Sequence, residues 1–401
     1  MARYLRRAGH TVTVVTTDLY GRLPPAEEKG IVRVGDLRSM RLLRAILRRG
    51  DIEATADRPE KRPTALLTKV VVPDAQLVTW VPAAFAAVRR IGARHDVDCL
   101  VTSGPPDSIH LLGLLLGSNR PAWVADFRDG WTFEPLREPF RTGAQRRLDA
   151  WLERRVAQSA DVAVGATRPI ADDLALRLGA NAVHVPNGWD PEAGHVSPAV
   201  TANPDHDGSI TLVYTGTFSG VRGSDPRPLL EALRLVHVEQ RVPRVRLVVA
   251  GRMTSDDRDL IVASGAAHLV EHLGTLERSK AITLQRSADA LVLITSRSVS
   301  VATGKIYEYL AAGKPIVALA EGNEAERIVR ETNTGVIVPP DDVNAIAAAL
   351  RQVVSGQLTA AYHPRNLERY TYPGPAEAMA EAVEQAIQRW SAFRAGRRAT
   401  T

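Results

Sequence analysis

The sequence predicts an α/β fold made of parallel sheets in two successive domains. Short apolar runs rich in β-branched residues recur at 11–16, 99–103, 122–126, 161–165, 211–215, 246–251, 290–295 and 315–319. They alternate with amphipathic stretches of helical period, the pattern of parallel strands buried on both faces and joined by crossover helices. At 401 residues the chain also exceeds the size at which one hydrophobic core keeps growing.

A hydrophobic content of 45% is enough for two cores. The two series of strands are separated by the polar, apolar-poor stretch 201–209, which places the boundary near residue 200. The expected organisation is a first domain over 1–195, a second over 205–372, and a last helix over 376–394 that follows the break Tyr372-Pro373-Gly374-Pro375. The tail from Gly396 is expected to be disordered.

The chain opens unusually. Residues 2–8 read as a helix stopped by Gly9-His10, so the first strand, 11–16, has a helix and no strand before it. In a doubly wound sheet the first strand is central. The expectation is that the first domain lacks that strand, because Met1 lies too late or the chain is a fragment; a genuine start would leave unpaired backbone groups and a domain of poor stability.

The formal charge of +6 is carried largely by scattered arginines such as Arg41, Arg44, Arg48 and Arg49. Nucleic acid, an anionic membrane, a phosphate-bearing small molecule and a merely solvated surface all fit such a balance. Aromatic residues amount to 5% and interleave with no basic tract, which disfavours nucleic acid. Cys99 is the only cysteine, so neither an internal disulfide nor a cysteine-rich zinc site can form. No apolar run has the length of a bilayer span, and residues 1–7 lack the apolar core of a secretory signal. The expectation is a cytoplasmic chain whose membrane contact, if any, is peripheral and on the inner face, through the arginine-rich segments 38–49 and 137–155.

The segment 299–318 carries the strongest chemical signal. It reads as loop, helix, glycine stop and strand. Gly304 lets backbone approach a ligand closely, and the helix opening beside it offers unpaired N–H groups and a positive dipole end suited to a pyrophosphate. Lys305 adds a point charge, and Glu308, about one turn on, can accept hydrogen bonds from ribose hydroxyls. The plain alternative is a solvated Lys305/Glu308 helix pair followed by an ordinary Gly313-Lys314-Pro315 cap.

The string Lys305-Ile306-Tyr307-Glu308-Tyr309-Leu310-Ala311-Ala312-Gly313-Lys314-Pro315 resembles the donor-site signature of the retaining GT-B glycosyltransferases of family four, the group 1 glycosyltransferases. Pro186-Asn187-Gly188-Trp189-Asp190 is similar to that family's interdomain segment, and Val213-Tyr214-Thr215-Gly216-Thr217-Phe218 to the first strand and glycine turn of its second domain. Val249-Ala250-Gly251 and His272-Leu273-Gly274 follow in the family's order. The resemblance implies two Rossmann-like domains facing across a cleft, with the last helix crossing back to the first.

It further implies that Glu308 binds the donor ribose, that Lys305 lies near the diphosphate, and that Gly216 and Phe218 line the phosphate approach. Arg222 is the candidate diphosphate clamp and Arg227 a weaker one, since a guanidinium fork binds phosphate oxygens bidentately. The family's first glutamate, eight positions before Glu308, falls here on Ser300. Ser300, Thr303 and backbone amides would then stand in for it. No metal is implied, and the cofactor-like partner is the co-substrate, a UDP- or GDP-linked sugar.

In the first domain two loops follow strands, Thr102-Ser103-Gly104-Pro105-Pro106-Asp107-Ser108-Ile109-His110 and Ala125-Asp126-Phe127-Arg128-Asp129-Gly130-Trp131-Thr132. Carboxyl ends of parallel strands are where open α/β sheets bind ligands. Related glycosyltransferases carry similar segments, with a histidine near the position of Arg128; Arg128 with Asp126 or Asp129 would replace it as the catalytic group. Two carboxylates pairing with a loop arginine, and a structural histidine at His110 in place of a cleft histidine, are the plain alternatives.

The leading expectation is transfer of a sugar, with retention, from a nucleotide sugar to a glycan, lipid-linked or cell-surface polysaccharide intermediate. The alternatives are a nucleotide-sugar epimerase of the same fold, and a catalytically weak protein that binds nucleotide sugars or serves assembly.

Overall fold

The computed structural model describes residues 1–17, 30–35, 70–74, 79–135, 138–192, 209–218, 225–239 and 245–399. Arg222, the arginines at 41–49 and most of the polar stretch 201–209 lie outside the described residues. The chain divides into two compact units, Met1–Val185 with Ala376–Thr401, and Pro186–Pro375.

In the first unit α1 (Ala2–Arg7) precedes β1 (Val14–Thr17) and β2 (Ile31–Val34), which pair in parallel. Then come α2 (Val81–Gly92), β3 (Cys99–Gly104), α3 (Leu111–Leu116), β4 (Ala122–Phe127), α4 (Gly143–Ser159), β5 (Val162–Gly165), α5 (Arg168–Leu176) and β6 (Ala182–His184). β3 to β6 form a second parallel sheet in sequence order. Among the described residues no ladder joins it to the β1–β2 pair. That pair is tied to the rest through Trp80 and Val81 at the start of α2, which pack with Val15 and Val34, while the Trp80 indole donates to the Val34 carbonyl at 3.1 Å.

The second unit holds a six-stranded parallel sheet of order β12-β11-β10-β7-β8-β9. Its elements are β7 (Ile210–Thr215), α6 (Arg227–Glu239), β8 (Val245–Ala250), α7 (Ser255–Ala263), β9 (Val270–Gly274), α8 (Arg278–Ser287), β10 (Ala290–Ile294), α9 (Gly304–Ala312), β11 (Ile316–Leu319), α10 (Glu324–Thr332), β12 (Gly335–Val338), α11 (Val343–Val354) and α12 (Gln357–Ala360). Successive side chains leave opposite faces of a strand, so Leu212, Leu247, Val292 and Val317 meet α6 and α11 on one side. Val213, Val248, Leu291 and Ile316 meet α8, α9 and α10 on the other. Burial on both faces, at roughly 1.5–3 kcal/mol per large aliphatic side chain, is why these strands are unbroken apolar runs.

The last helix, α13 (Gly374–Ala399), belongs from Ala376 onward to the first unit. There Met379, Ala382, Ala386 and Trp390 cover Ala122, Val124, Val162 and Val164. The opposite face of β4, Trp123, Ala125 and Phe127, packs against Val156 of α4 and Ile170 and Leu174 of α5. The expectation of a disordered tail from Gly396 is corrected: α13 runs on to Ala399, since 390–399 contains no helix breaker beyond a single glycine.

The order of the second sheet reverses between β10 and β7, so the loops after these two neighbours leave in opposite directions and open a crevice at their carboxyl ends. Glycines line it. Gly251, at φ +149°, comes so close to the neighbouring turn that a Cβ would lie 2.1 Å from the Gly216 carbonyl oxygen. Gly251→Ala is expected to lower the stability of the second unit by about 3 kcal/mol, read as an earlier urea transition in that unit, because backbone and not a flexible side chain must move.

Candidate functional site

At the switch point the second unit presents Gly216 from the end of β7 and Lys305 from the first turn of α9. Gly216 has φ +115°, and a Cβ there would sit 2.9 Å from Lys305 Cε, so glycine both permits the turn and leaves room for the lysine. The Lys305 ammonium donates to the Tyr214 hydroxyl at 2.5 Å and lies 4.1 Å from the centre of its ring. Tyr214 is fully buried, and its own O–H donates to the Thr217 carbonyl in the glycine turn at 2.6 Å. One phenol thus fixes turn and lysine together, and burial holds it protonated by raising its pKa.

Among the described residues no carboxylate pairs with Lys305. Burial lowers its pKa to about 8, because a desolvated ammonium without a counter-ion is disfavoured. The start of α9 is equally unfilled. Thr303 occupies the N-cap without a side-chain cap bond, and among the described residues its buried hydroxyl has no partner. Gly304 and Lys305 therefore bring free amides and the positive end of the helix dipole to the same place.

One turn on, Glu308 is held from two sides. Gln285 of α8 donates to it at 3.4 Å, and Arg278 lies at 3.7 Å. Gln285 also donates to the Thr215 hydroxyl at 3.0 Å, and the Thr215 amide donates to the buried Tyr309 hydroxyl at 2.9 Å, which locks α8 and α9 to the end of β7. Arg278 also lies 5.6 Å from the ring centre of Trp189. Trp189 is fixed by backbone bonds to Tyr370 and Tyr372, and Gly188 beside it leaves no room for a Cβ against the Tyr370 carbonyl.

Ser300 lies in the loop between β10 and α9, which is pinned where the Val299 and Val301 carbonyls accept from the amides of Glu324 and Ala325. Two other residues fall elsewhere. The Phe218 ring is fully buried, edge-on to Tyr214 at 5.6 Å, and builds the core under the turn. Arg227 opens α6 and forms a fork on Asp225, at 2.9 and 2.6 Å, which holds the Asp225 carboxyl below the usual range.

In the first unit Asp126 and Arg128 leave the end of β4 together. Arg128 meets both carboxylate oxygens of Asp126, at 2.9 and 2.8 Å, and donates to the Val185 carbonyl at 3.1 Å. Ser103, at the end of β3, donates to Asp126 at 2.7 Å. With its oxygens so occupied, Asp126 holds Arg128 in place and is poorly arranged as a base. Asp129 is half-buried in the same loop. The loop is braced by α4, where Asp149 accepts from the Trp131 indole at 2.8 Å and Glu153 from the Thr132 amide at 3.0 Å.

His110 joins none of this chemistry. It is fully buried, stacked on Phe127 at 4.6 Å, and bonded through Nδ1 to Thr102 at 2.8 Å. Of the two readings open at that position, the structural histidine is the one its surroundings match.

Two family profiles match the chain, "Glycosyl transferase 4-like domain" over residues 1–188 and "Glycosyl transferases group 1" over 209–356. The chain belongs to the group 1 glycosyltransferases. A phosphatidyl-myo-inositol mannosyltransferase of Mycolicibacterium smegmatis is 29% identical over 212 residues, 50% of this chain and 52% of that protein. The match thus spans about half of that relative. Among solved structures, a sucrose-phosphate synthase from Thermosynechococcus elongatus superposes with a TM-score of 0.54 at 18% identity, covering 99% of this chain and 92% of that one. A glycosyltransferase from Rickettsia africae gives 0.50 at 11%, covering 95% of each. At such identities these two show the shared fold.

For this group 1 glycosyltransferase the sequence pointed to Gly216, Lys305 and Glu308, which the structure brings to one end of one sheet. It did not point to Tyr214, Arg278 or Gln285, whose roles arise from contacts across tens of residues that no local spacing signals.

His110 also sets a pH dependence. Burial lowers its pKa from 6.5 to about 3, so the unfolded chain takes up a proton near 6.5 that the folded chain refuses. Stability is intact above that value and falls with acidification, by at most about 1.4 kcal/mol per pH unit. Urea unfolding at about pH 7.5 and about pH 5 is expected to differ by about 2 kcal/mol from this group alone. His110→Gln should remove that difference.

Proposed function

We propose that this chain moves a sugar from a nucleoside diphosphate sugar to a hydroxyl acceptor, and that its second unit binds the donor. The observation that carries the reading is the Lys305 ammonium at the β10/β7 switch point, uncompensated among the described residues, beside the glycine turn and the unfilled start of α9. A diphosphate supplies the missing negative charge. In the transfer the bond between the anomeric carbon and the diphosphate oxygen breaks, and charge grows on that oxygen. Lys305 and the Gly304 and Lys305 amides are placed to stabilise it more in the transition state than in the ground state. Glu308, its carboxylate steadied by Gln285 and Arg278, receives the ribose hydroxyls.

Retention follows if the acceptor hydroxyl attacks on the face the diphosphate leaves, with a phosphate oxygen taking its proton. This reading asks for no metal, because the lysine and amides perform the neutralisation. Ser300, standing where relatives carry a glutamate, is assigned to the transferred sugar. Among the acceptors considered, a lipid-linked one is supported by the phosphatidyl-myo-inositol in the name of the mycobacterial relative. Ser300 also favours one second reading, a protein that binds nucleotide sugars with little turnover, since a hydroxyl replaces a charge there.

Calorimetric titration with UDP and GDP, with release of nucleoside diphosphate from a panel of sugar donors, separates these readings. Release with sugar transferred supports the enzyme; tight binding without release supports the second reading. Lys305→Ala and Glu308→Ala proteins that bind donors as the parent does would refute both. Loss of the lysine is expected to weaken binding roughly 10- to 100-fold, the worth of a charged hydrogen bond.

The lysine also sets the pH dependence of binding. Its folded pKa of about 8 means that the ligand-free ammonium deprotonates above that value. UDP, whose phosphates are already ionised there, then binds about tenfold more weakly per pH unit. Lys305→Met is expected to bind weakly with no such slope. In Tyr214→Phe the lysine loses its acceptor, and the slope should move to a different pH while the fold persists.

A further inference from the structure

We infer that the outer face of α4, in the first unit, is a docking surface for an anionic lipid bilayer. The helix is amphipathic in an unusual sense. Both of its acidic residues point inward, Asp149 at 5% and Glu153 at 1% exposure, spent on Trp131, Thr132 and Arg177. Four cations remain outside: Arg146, Arg147, Arg154 and Arg155 are all exposed. Among the described residues Arg147 and Arg155 have no ion-pair partner. Arg146 and Arg154 donate only to neutral carbonyls, so their charge stays uncompensated.

Between these arginines sit Leu148 and Trp151, exposed by 46% and 55%. Helical spacing puts residues 144, 147, 148, 151 and 155 on one stripe, opposite the buried 149, 153 and 156. Leu115, 57% exposed, projects from α3, which packs beside α4.

A large aromatic and a leucine held in water among unpaired arginines match a bilayer interface better than other anionic partners. Tryptophan seats its indole at headgroup depth, leucine enters the acyl boundary, and arginine stems bury their methylenes while their heads meet lipid phosphate. Nucleic acid would use the charges and leave Leu148 and Leu115 wet, and a single tryptophan makes no stacking series. The inference is independent of the donor site and concerns where the protein works, not what it transfers.

Sedimentation of the full chain with vesicles tests it. At low salt the protein is expected to pellet with equal parts phosphatidylglycerol and phosphatidylcholine, not with phosphatidylcholine alone, and to be released at about 1 M salt, where the Debye length is about 3 Å. Arg147→Gln with Arg155→Gln should lower partitioning about 30-fold, at about 1 kcal/mol per cation. Leu148→Ser with Trp151→Ser should lower it by about tenfold or more. Removing the same charge from exposed helix positions of the second unit, Arg234→Gln with Arg258→Gln, should leave it within about twofold. No pelleting at low salt, or equal losses from the α4 pair and the second-unit pair, overturns the assignment. So does a dimer in solution that Trp151→Ser dissolves, since the face would then belong to a second copy. The vesicle assay needs no donor, so absence of sugar transfer would refute the proposed activity and leave this surface standing.

Discussion

The contact of Lys305 with Tyr214 is the constraint around which the second unit's ligand end is arranged. The phenol stands on β7 and the lysine opens α9 after β10, so the pair spans the point where the sheet reverses its order. Because Tyr214 also donates to the Thr217 carbonyl, the glycine turn cannot shift without moving the ammonium. The small residues follow from the same requirement. Gly216 leaves room for the lysine stem and Gly251 for the Gly216 carbonyl. A positive charge is thereby kept partly desolvated beside open amides, an arrangement costly until an anion arrives.

Group 1 membership and the parallel-sheet architecture were legible in the sequence because their signals are local. Strands such as β4, β7, β8 and β10 lie inside their sheets and are buried on both faces, so each reads as an unbroken apolar run. Four strands escaped the same reading: β2, β6, β9 and β12. All four are at sheet edges: β9 is mostly exposed, Arg33 and His184 interrupt the runs of β2 and β6, and β12 was passed over although Val336-Ile337-Val338 is apolar. The site divided along a similar line. Lys305 and Glu308 share a helix turn and were visible by spacing, whereas Arg278, Gln285 and Tyr214 reach the same place through tertiary packing. His110 looked ambiguous because a strand-end loop can turn its side chain either way; the Phe127 and Trp131 rings take it inward.

The first unit holds its loop residues by a different means. Asp126 and Arg128 satisfy each other, Ser103 adds a third bond, and the segment that follows is braced on buried carboxylates of α4. Removing Asp149 or Glu153 would strand buried donors, so α4 couples the order of this loop to its own seating. The same inward turn of acidic residues is what leaves arginine as the one charged residue type on the helix exterior.

The return of α13 to the first unit has a consequence for synthesis. Ala122, Val124, Val162 and Val164 are covered by Met379, Ala382, Ala386 and Trp390, more than two hundred positions later in the chain. As the polypeptide leaves the ribosome, the whole second unit emerges while that strand surface is still bare. The earlier-made unit thus finishes last, and in the interval its exposed valines are a natural client surface for chaperones.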